Sequence, residues 1–184
     1  AAITGAIGGL LVQALPRFAM AHPEVAVHVR ESDPEQWGLQ LARGDVDLAV
    51  VREPAVTPAG FDFRPLIDDR FVVVCSPNHS MARRRGVTWQ RLSERTWLPQ
   101  AVGSAAREVL DQMMAAVGVQ PRLVQVLTRV SSLTVALVEA LDVLALVPLS
   151  VVRPWVDKGQ LVVVDVRPEP PFRPLGIVVP AVQA

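Results

Sequence analysis

The sequence predicts an α/β protein built on largely parallel sheet, and three observations carry that reading. Strand-like and helix-like segments alternate along the whole chain. Several strand segments are apolar throughout rather than alternating, as expected of strands covered on both faces. One stretch, Leu41-Ala42-Arg43-Gly44-Asp45-Val46-Asp47-Leu48-Ala49-Val50-Val51-Arg52, shows the handover from helix to strand directly. Gly44 sits where a helix end needs positive φ, which glycine adopts without strain. The run Val46 to Val51 is apolar apart from Asp47 and predicts a buried strand, with Arg52 at the end where an open α/β sheet presents its ligand-facing loops.

The elements follow in order. Ile7, Leu10, Leu11, Ala14, Leu15 and Phe18 form one helical stripe, predicting a helix from Thr4-Gly5 to just before His22-Pro23, with Thr4 as its N-cap. Val25 to Val29 alternates as a short strand. Ser32-Asp33-Pro34 predicts the next helix start, with Asp33 as cap and Pro34 at the first helical position. That helix carries Trp37 and Leu41 on one face. Pro54 to Gly60 is a loop, Phe61 to Leu66 an extended segment and Arg70 to Ser76 a strand. Arg83-Arg84-Arg85 reads as a solvated basic loop. Thr88 to Leu92 predicts a short helix, Thr96 to Leu98 a short strand, and Gly103-Ser104 the start of a helix burying Val109, Leu110, Met113, Met114 and Val117. Gly118 closes that helix.

Arg122 to Val130 reads as a strand. Ser131-Ser132 caps a helix with Leu133, Ala136, Leu137, Ala140 and Leu141 apolar, and Val143 to Val147 is a buried strand ended by Pro148. A helix from Ser150 to Lys158, a strand from Leu161 to Val166, a stiff connector Arg167-Pro168-Glu169-Pro170-Pro171 and a strand from Leu175 to Val179 complete the chain. The residues alone leave two arrangements open, two blocks meeting near Val74-Cys75 or a single sheet of some eight strands.

The 184 residues are 51% hydrophobic and 20% charged, a globular balance, with 18 basic and 18 acidic side chains. Zero net charge gives no global field for nucleic acid or an anionic membrane. Cys75 is the single cysteine, so an internal disulfide is impossible, and its apolar surroundings mark it as a small core residue. No apolar run reaches the roughly 18 residues of a membrane span. Ala1 to Leu15 lacks the basic flank and cleavage site of a signal peptide, and without an initiator methionine the chain is expected to be a piece of a longer protein.

Catalytic signatures are lacking. His22, His28 and His79 stand at no metal-ligand spacing, and there is no GxSxG, P-loop or GxGxxG. Asp45 and Asp47 form a carboxylate pair in sequence, but a turn and a strand start are structural settings. What recurs instead is helix starts bearing small hydroxyls or glycine: Thr4-Gly5, Ser32-Asp33, Gly103-Ser104 and Ser131-Ser132. Gathered at one sheet edge, such starts would bind an anion without performing chemistry on it.

At this point the sequence resembles the effector-binding domain of LysR-type bacterial transcriptional regulators, over nearly all its length. Phe18-Ala19-Met20-Ala21-His22-Pro23-Glu24-Val25 looks like that family's helix-end pattern, and Leu41 to Val50 its "leucine, two residues, glycine, acidic, aliphatic, aspartate" segment. Val72 to Ala82 is similar to its strand followed by histidine-proline-leucine-alanine, here with Ser80 and Met81 in place of proline and leucine. Val87 to Leu92, Ser104 to Pro121 and Leu137 to Pro148 match in order and spacing.

The resemblance implies two Rossmann-like lobes with central mainly parallel sheets joined by two crossover strands, the type 2 periplasmic-binding-protein arrangement. Lobe I would hold residues 1–74 with 172–184, and lobe II residues 75–171. It implies a small effector in the cleft between lobes and a homodimer or homotetramer of side-by-side antiparallel lobes. DNA would be read only through an N-terminal winged helix-turn-helix outside these residues, in the cytoplasm, with no cofactor and no membrane. Carried over by position, effector contacts fall on Thr4, Ser32, Gln100, Gly103 and Ser104, with Arg52 and Ser131 added from position alone. Three features depart from the family pattern: Ala1-Ala2-Ile3 leaves little room for a first strand, no final helix follows Val179, and Leu141-Asp142-Val143 replaces a glycine-rich turn. The rival reading is a transport-type solute-binding protein of the same fold, which an upstream signal peptide would reveal.

Overall fold

A computed structural model describes residues 1–33 and 35–181. The chain divides into two compact units. Unit 1 holds Ala1–Asp69 and the described residues from Phe172 onward, and unit 2 holds Arg70–Pro171.

Unit 1 opens with Ala2, which makes parallel bridges to both Glu31 and Val50. Its N–H donates to Arg30 O at 2.8 Å, and its carbonyl accepts from Ser32 N at 2.9 Å. One residue thus does the work of the family's first strand. The first helix starts as α1 (Thr4–Ala6), passes through a π-helical turn (Ile7–Leu11) and continues as α2 (Val12–Ala21), with Pro16 inside it. Its N-cap is Ile3, without a side-chain cap bond, so Thr4 is the first helical residue rather than the cap. Only the beginning of its apolar stripe packs, against Ala2, Val50 and Leu175. Phe18 and Met20 stay exposed. The expected strand at Val25–Val29 joins no ladder, and its three valines face solvent. A strand needs a neighbour along its length, and the Ala2 bridge offers only Glu31.

Helix α3 (Trp37–Arg43) follows, shorter than expected, with Gln36 rather than Asp33 at its N-cap; the Pro34 position lies outside the described residues. Gly44 closes it at φ 74, donating to Leu41 O while Asp45 N donates to Gln40 O, the two bonds of a Schellman ending. Strand β1 is Ala49–Arg52, so the Val46-Asp47-Leu48 lead-in is turn rather than strand. Its side chains alternate between faces: Ala49 and Val51 meet Trp37 and Leu41, and Val50 meets Ala6. Strand β2 (Phe61–Ile67) ends the first part of this unit.

Unit 2 begins with β3 (Phe71–Cys75), buried at every position. The expected lobe boundary falls after Val74, but the structure puts this strand in unit 2, because it pairs with strands found only there. Then come β4 (Val87–Thr88), α4 (Trp89–Leu92), β5 (Thr96–Trp97), α5 (Ala105–Ala116), β6 (Arg122–Leu123), α6 (Ser131–Ala140), β7 (Ala145–Pro148), α7 (Leu149–Asp157), β8 (Val162–Val163) and β9 (Val166–Arg167). The single strand expected over Leu161–Val166 is therefore two, and the one expected over Arg122–Val130 is a two-residue strand followed by irregular chain. Phe71, Val73 and Cys75 face α4 and α5, packing with Trp89, Leu92, Leu110 and Met114. Val72 and Val74 face α6 and α7, packing with Val135, Val138 and Val152. Covering on both faces is what the unbroken apolar run demanded.

Helix α6 is turned relative to expectation. Thr134, Val135 and Val138 are its buried residues, while Leu133 and Leu141 remain exposed. Its N-cap is Val130, and neither Ser131 nor Ser132 caps it; both lie inside the first turn.

The chain re-enters unit 1 to form β10 (Leu175–Pro180), which runs antiparallel between β1 and β2. Gly176 lies under the Phe63 ring: a Cβ there would sit 2.7 Å from Phe63 Cζ and overlap the Arg64 carbonyl oxygen. The longer ladders in both units, β1–β10–β2 and β7–β3–β8, are antiparallel. Parallel pairing survives in β4–β9, β5–β6 and the bridges at Ala2 and at Trp97–Leu144. The sheets are thus mixed where the sequence suggested mainly parallel ones. Strands β3 and β10 each run antiparallel to both of their neighbours, and no local pattern announces that.

Candidate functional site

In unit 2, the loop ahead of α5 gathers three of the seven expected positions. Ser104 is the N-cap of a 12-residue helix, and its Oγ accepts from Arg107 N at 3.3 Å. Ser104 N donates to Ala101 O at 3.1 Å, and Gly103 between them has φ 78. Gln100, at the head of this turn, has a buried Nε2 with no hydrogen-bond partner among the described residues. Leaving a buried amide N–H unpaired costs about 1–3 kcal/mol, so a ligand acceptor would find favourable exchange there. The free N–H groups and positive dipole end of α5 add preference for negative charge.

In unit 1, Thr4 and Ser32 come together, but not as bare hydroxyls. Thr4 Oγ1 donates to Glu31 Oε1 at 2.6 Å, and Ser32 is buried with its Oγ donating to Asp33 O at 3.3 Å. The Ala2–Glu31 bridge is what joins these segments, so Glu31 belongs to the group although it is not among the expected positions. An acidic residue at the end of an expected strand carries no distinguishing signal; only the bond to Thr4 reveals it.

The remaining two expected positions fall elsewhere. Ser131 is half-buried inside the first turn of α6 and caps nothing. Arg52 is engaged by its own chain: Nη2 binds Asp69 Oδ2 at 2.5 Å, and Nη1 donates to Asp69 O at 2.8 Å and Arg173 O at 2.5 Å. The guanidinium is thus already engaged with acceptors of its own unit. The aspartates of the opening stretch are likewise structural. Asp45 closes a helix through its amide, and both carboxylates are exposed.

Two other groups bear on chemistry. Burial pushes the Cys75 thiol up to about 12, with Asp142 adding to the effect, so at neutral pH it is a thiol rather than the nucleophilic thiolate. His79 has a side chain only 1% exposed, accepts from Met81 N at Nδ1 (3.1 Å) and places Nε2 3.4 Å from Asp142 Oδ1. Burial lowers its pKa, Asp142 opposes that and Arg95 reinforces it, which favours the neutral ring. Among the described residues no group of histidine, cysteine and carboxylates could hold a metal ion. None of the described helices is long and apolar enough to cross a membrane.

Two α/β units linked by two chain passages are what the family comparison then explains. The LysR substrate binding domain model matches residues 1–184. The chain belongs to this family. Among curated relatives, the HTH-type transcriptional regulator GalR of Pseudomonas putida KT2440 is 30% identical over 110 residues, 59% of this chain and 28% of that protein. The chain thus spans well under half the length of such relatives. Among solved structures, the regulatory domain of Synechocystis PCC6803 CcmR in complex with 2-PG superposes with TM-score 0.86 at 18% identity, covering 100% of this chain and 86% of that one. The effector binding domain of QuiR in complex with shikimate gives 0.81 at 16%, with the same coverages. These likenesses establish the LysR effector-domain fold for this chain. The relatives are transcriptional regulators, and the transport-type reading finds no support among them.

Proposed function

We propose that this LysR-type domain senses a small polar effector, one carrying a carboxylate or comparable acceptor, as part of a cytoplasmic transcriptional regulator rather than as an enzyme. The observation that carries this reading is the buried Gln100 Nε2 without a partner, at the head of the turn that Ser104 closes by capping α5. Gln100, Gly103 and Ser104 would receive the acceptor group. Thr4 and Ser32, with Glu31, form the corresponding polar group of unit 1. Effector binding would favour one conformational state over another and pass that bias to DNA-binding domains elsewhere in the protein. The test is a thermal-shift titration with a panel of carboxylate metabolites, repeated on Gln100→Leu. A ligand that raises Tm in the wild type and loses at least roughly tenfold in affinity in the variant supports the site. No shift with any metabolite sinks it.

Assembly as a homodimer, or a homotetramer, is supported by two surfaces and by charge. Unit 1 leaves Phe18, Met20, Val25, Val27 and Val29 exposed on its first helix and the following segment. Unit 2 leaves Val126, Leu127, Val130, Leu133 and Leu141 exposed around α6. Apolar groupings of that kind mark interaction sites. Unit 1 has six basic and ten acidic residues, and unit 2 has twelve and eight. Opposite net charges favour unit 1 of one copy against unit 2 of another, an antiparallel pairing. Light scattering would give the dimer mass, and Leu127→Asp should shift it to the monomer.

A further inference from the structure

The chain passes between its two units twice, after Asp69 and before Phe172. Just inside unit 1, the Arg52 guanidinium holds both passages. It binds the Asp69 carboxylate and carbonyl on the outgoing side and the Arg173 carbonyl on the returning side. The side chains of Arg52 and Asp69 are only 9% and 2% exposed. Next along, Glu53 N donates to Pro174 O at 2.8 Å, and Leu175 pairs with both Arg52 and Ile67. A buried ion pair persists only when further hydrogen bonds satisfy its atoms, and here backbone carbonyls of two distant segments do so. The planar fork matters because it can meet acceptors on separate segments at once, which an ammonium on a flexible stem cannot do in fixed geometry.

We propose that Arg52 is a positioning residue that locks the outgoing and returning strands of unit 1 into a single stem. Any change in the relation of the two units is then taken up by backbone after Asp69 and before Phe172, while the stem itself stays intact. This goes beyond the effector reading and holds whichever ligand the domain takes. It also gives the end of β1 a role in conformational coupling in place of ligand contact.

The test uses paired spin labels, one per unit, at Ala42→Cys and Ala115→Cys, both exposed helix positions. Cys75 is buried and does not compete for label. Pulsed EPR reads the width of the distance distribution, and Trp37 emission, read in a companion background with Trp89, Trp97 and Trp155 replaced by Phe, reports whether unit 1 is still packed. Because Arg52→Met strands a buried carboxylate and can unfold the unit, the deciding variant is Arg52→Met with Asp69→Leu, which leaves no orphan charge. The expected result is a distribution at least roughly twofold broader than wild type with unchanged Trp37 emission. Arg52→Lys should broaden it similarly. An unchanged width in the double variant, wild-type width in Arg52→Lys, or broadening only together with loss of Trp37 packing would each overturn the proposal and leave Arg52 as an ordinary fold-stabilising residue.

Discussion

The two units are built from the same kinds of element yet close their cores differently. Unit 2 is one continuous segment with a five-residue strand, β3, buried on both faces by four helices. Unit 1 is assembled from two segments, and its central strand β10 arrives more than a hundred residues after β2. Its clusters are small, and most of its first helix faces solvent. The contrast teaches where each unit is vulnerable. Unit 2 depends on the volume of its core, whereas unit 1 depends on the seating of one late strand and on the Arg52 clamp that holds its entrance.

Deleting core volume in unit 2 should have the largest effect. Leu110 is fully buried in α5, and Leu110→Ala should cost about 2–5 kcal/mol. Calorimetry should show the loss together with changed emission from Trp89 and Trp97, which stack with centroids 6.1 Å apart in the same core. An effect below ~1 kcal/mol would mean that this core is loosely packed.

The matching lesion in unit 1 is smaller in atoms but falls on backbone. Gly176→Ala drives a methyl into the Arg64 carbonyl and the Phe63 ring, and should cost about 1–3 kcal/mol. Hydrogen exchange should then rise first across the β1–β10–β2 ladder while β3 stays protected. Equal loss of protection in both units would break the comparison, showing one cooperative domain rather than two separable cores.

Acidification should single out unit 2. Burial holds the His79 pKa below its ordinary value of 6.5, so the unfolded chain takes up a proton before the folded one does. The stability this confers is fully present above pH 6.5 and is lost as pH falls through that value toward the folded pKa. The unfolding midpoint of unit 2 should therefore drop between pH 7.5 and 5.5, and His79→Gln should flatten the dependence. A midpoint rising on acidification would show that the Asp142 pairing outweighs burial.

The smallest effect tests the binding loop. Ser104→Ala removes the α5 cap and should cost about 1 kcal/mol, and Ser104→Gly only a few tenths. If effector affinity falls alike in both variants, the Ser104 hydroxyl is a ligand contact. If it falls only with Ser104→Ala, the residue acts through helix geometry alone.

Much of the fold was legible because its signals are local. The Gly44 ending, the helix start at Ser104 and the apolar runs at Phe71–Cys75 and Ala145–Val147 lie within a turn or a strand of the residues that explain them. The binding loop of unit 2 was legible in part, since Gly103-Ser104 announces a helix start. The orphaned amide of Gln100 was not, because a missing partner cannot be read from a list of residues. Glu31 escaped notice for the same reason, its link to Thr4 spanning 27 positions.

Where apolar faces point was the chief failure. Periodicity found helices at α2 and α6, but it could not say that Phe18 and Met20, or Leu133 and Leu141, would face outward. A stripe states only that some surface will cover it, and a second copy of the chain serves as well as its own core.

By itself, then, the sequence determined the order of the helices, most of their boundaries, the α/β class and the family, because each depends on spacing along the chain. Tertiary structure alone decided the antiparallel course of β10, the demand for glycine at 176 and the acceptors that engage Arg52. Those rest on partners 17, 112 or 121 positions away. Neither helical period nor strand alternation carries information over that distance.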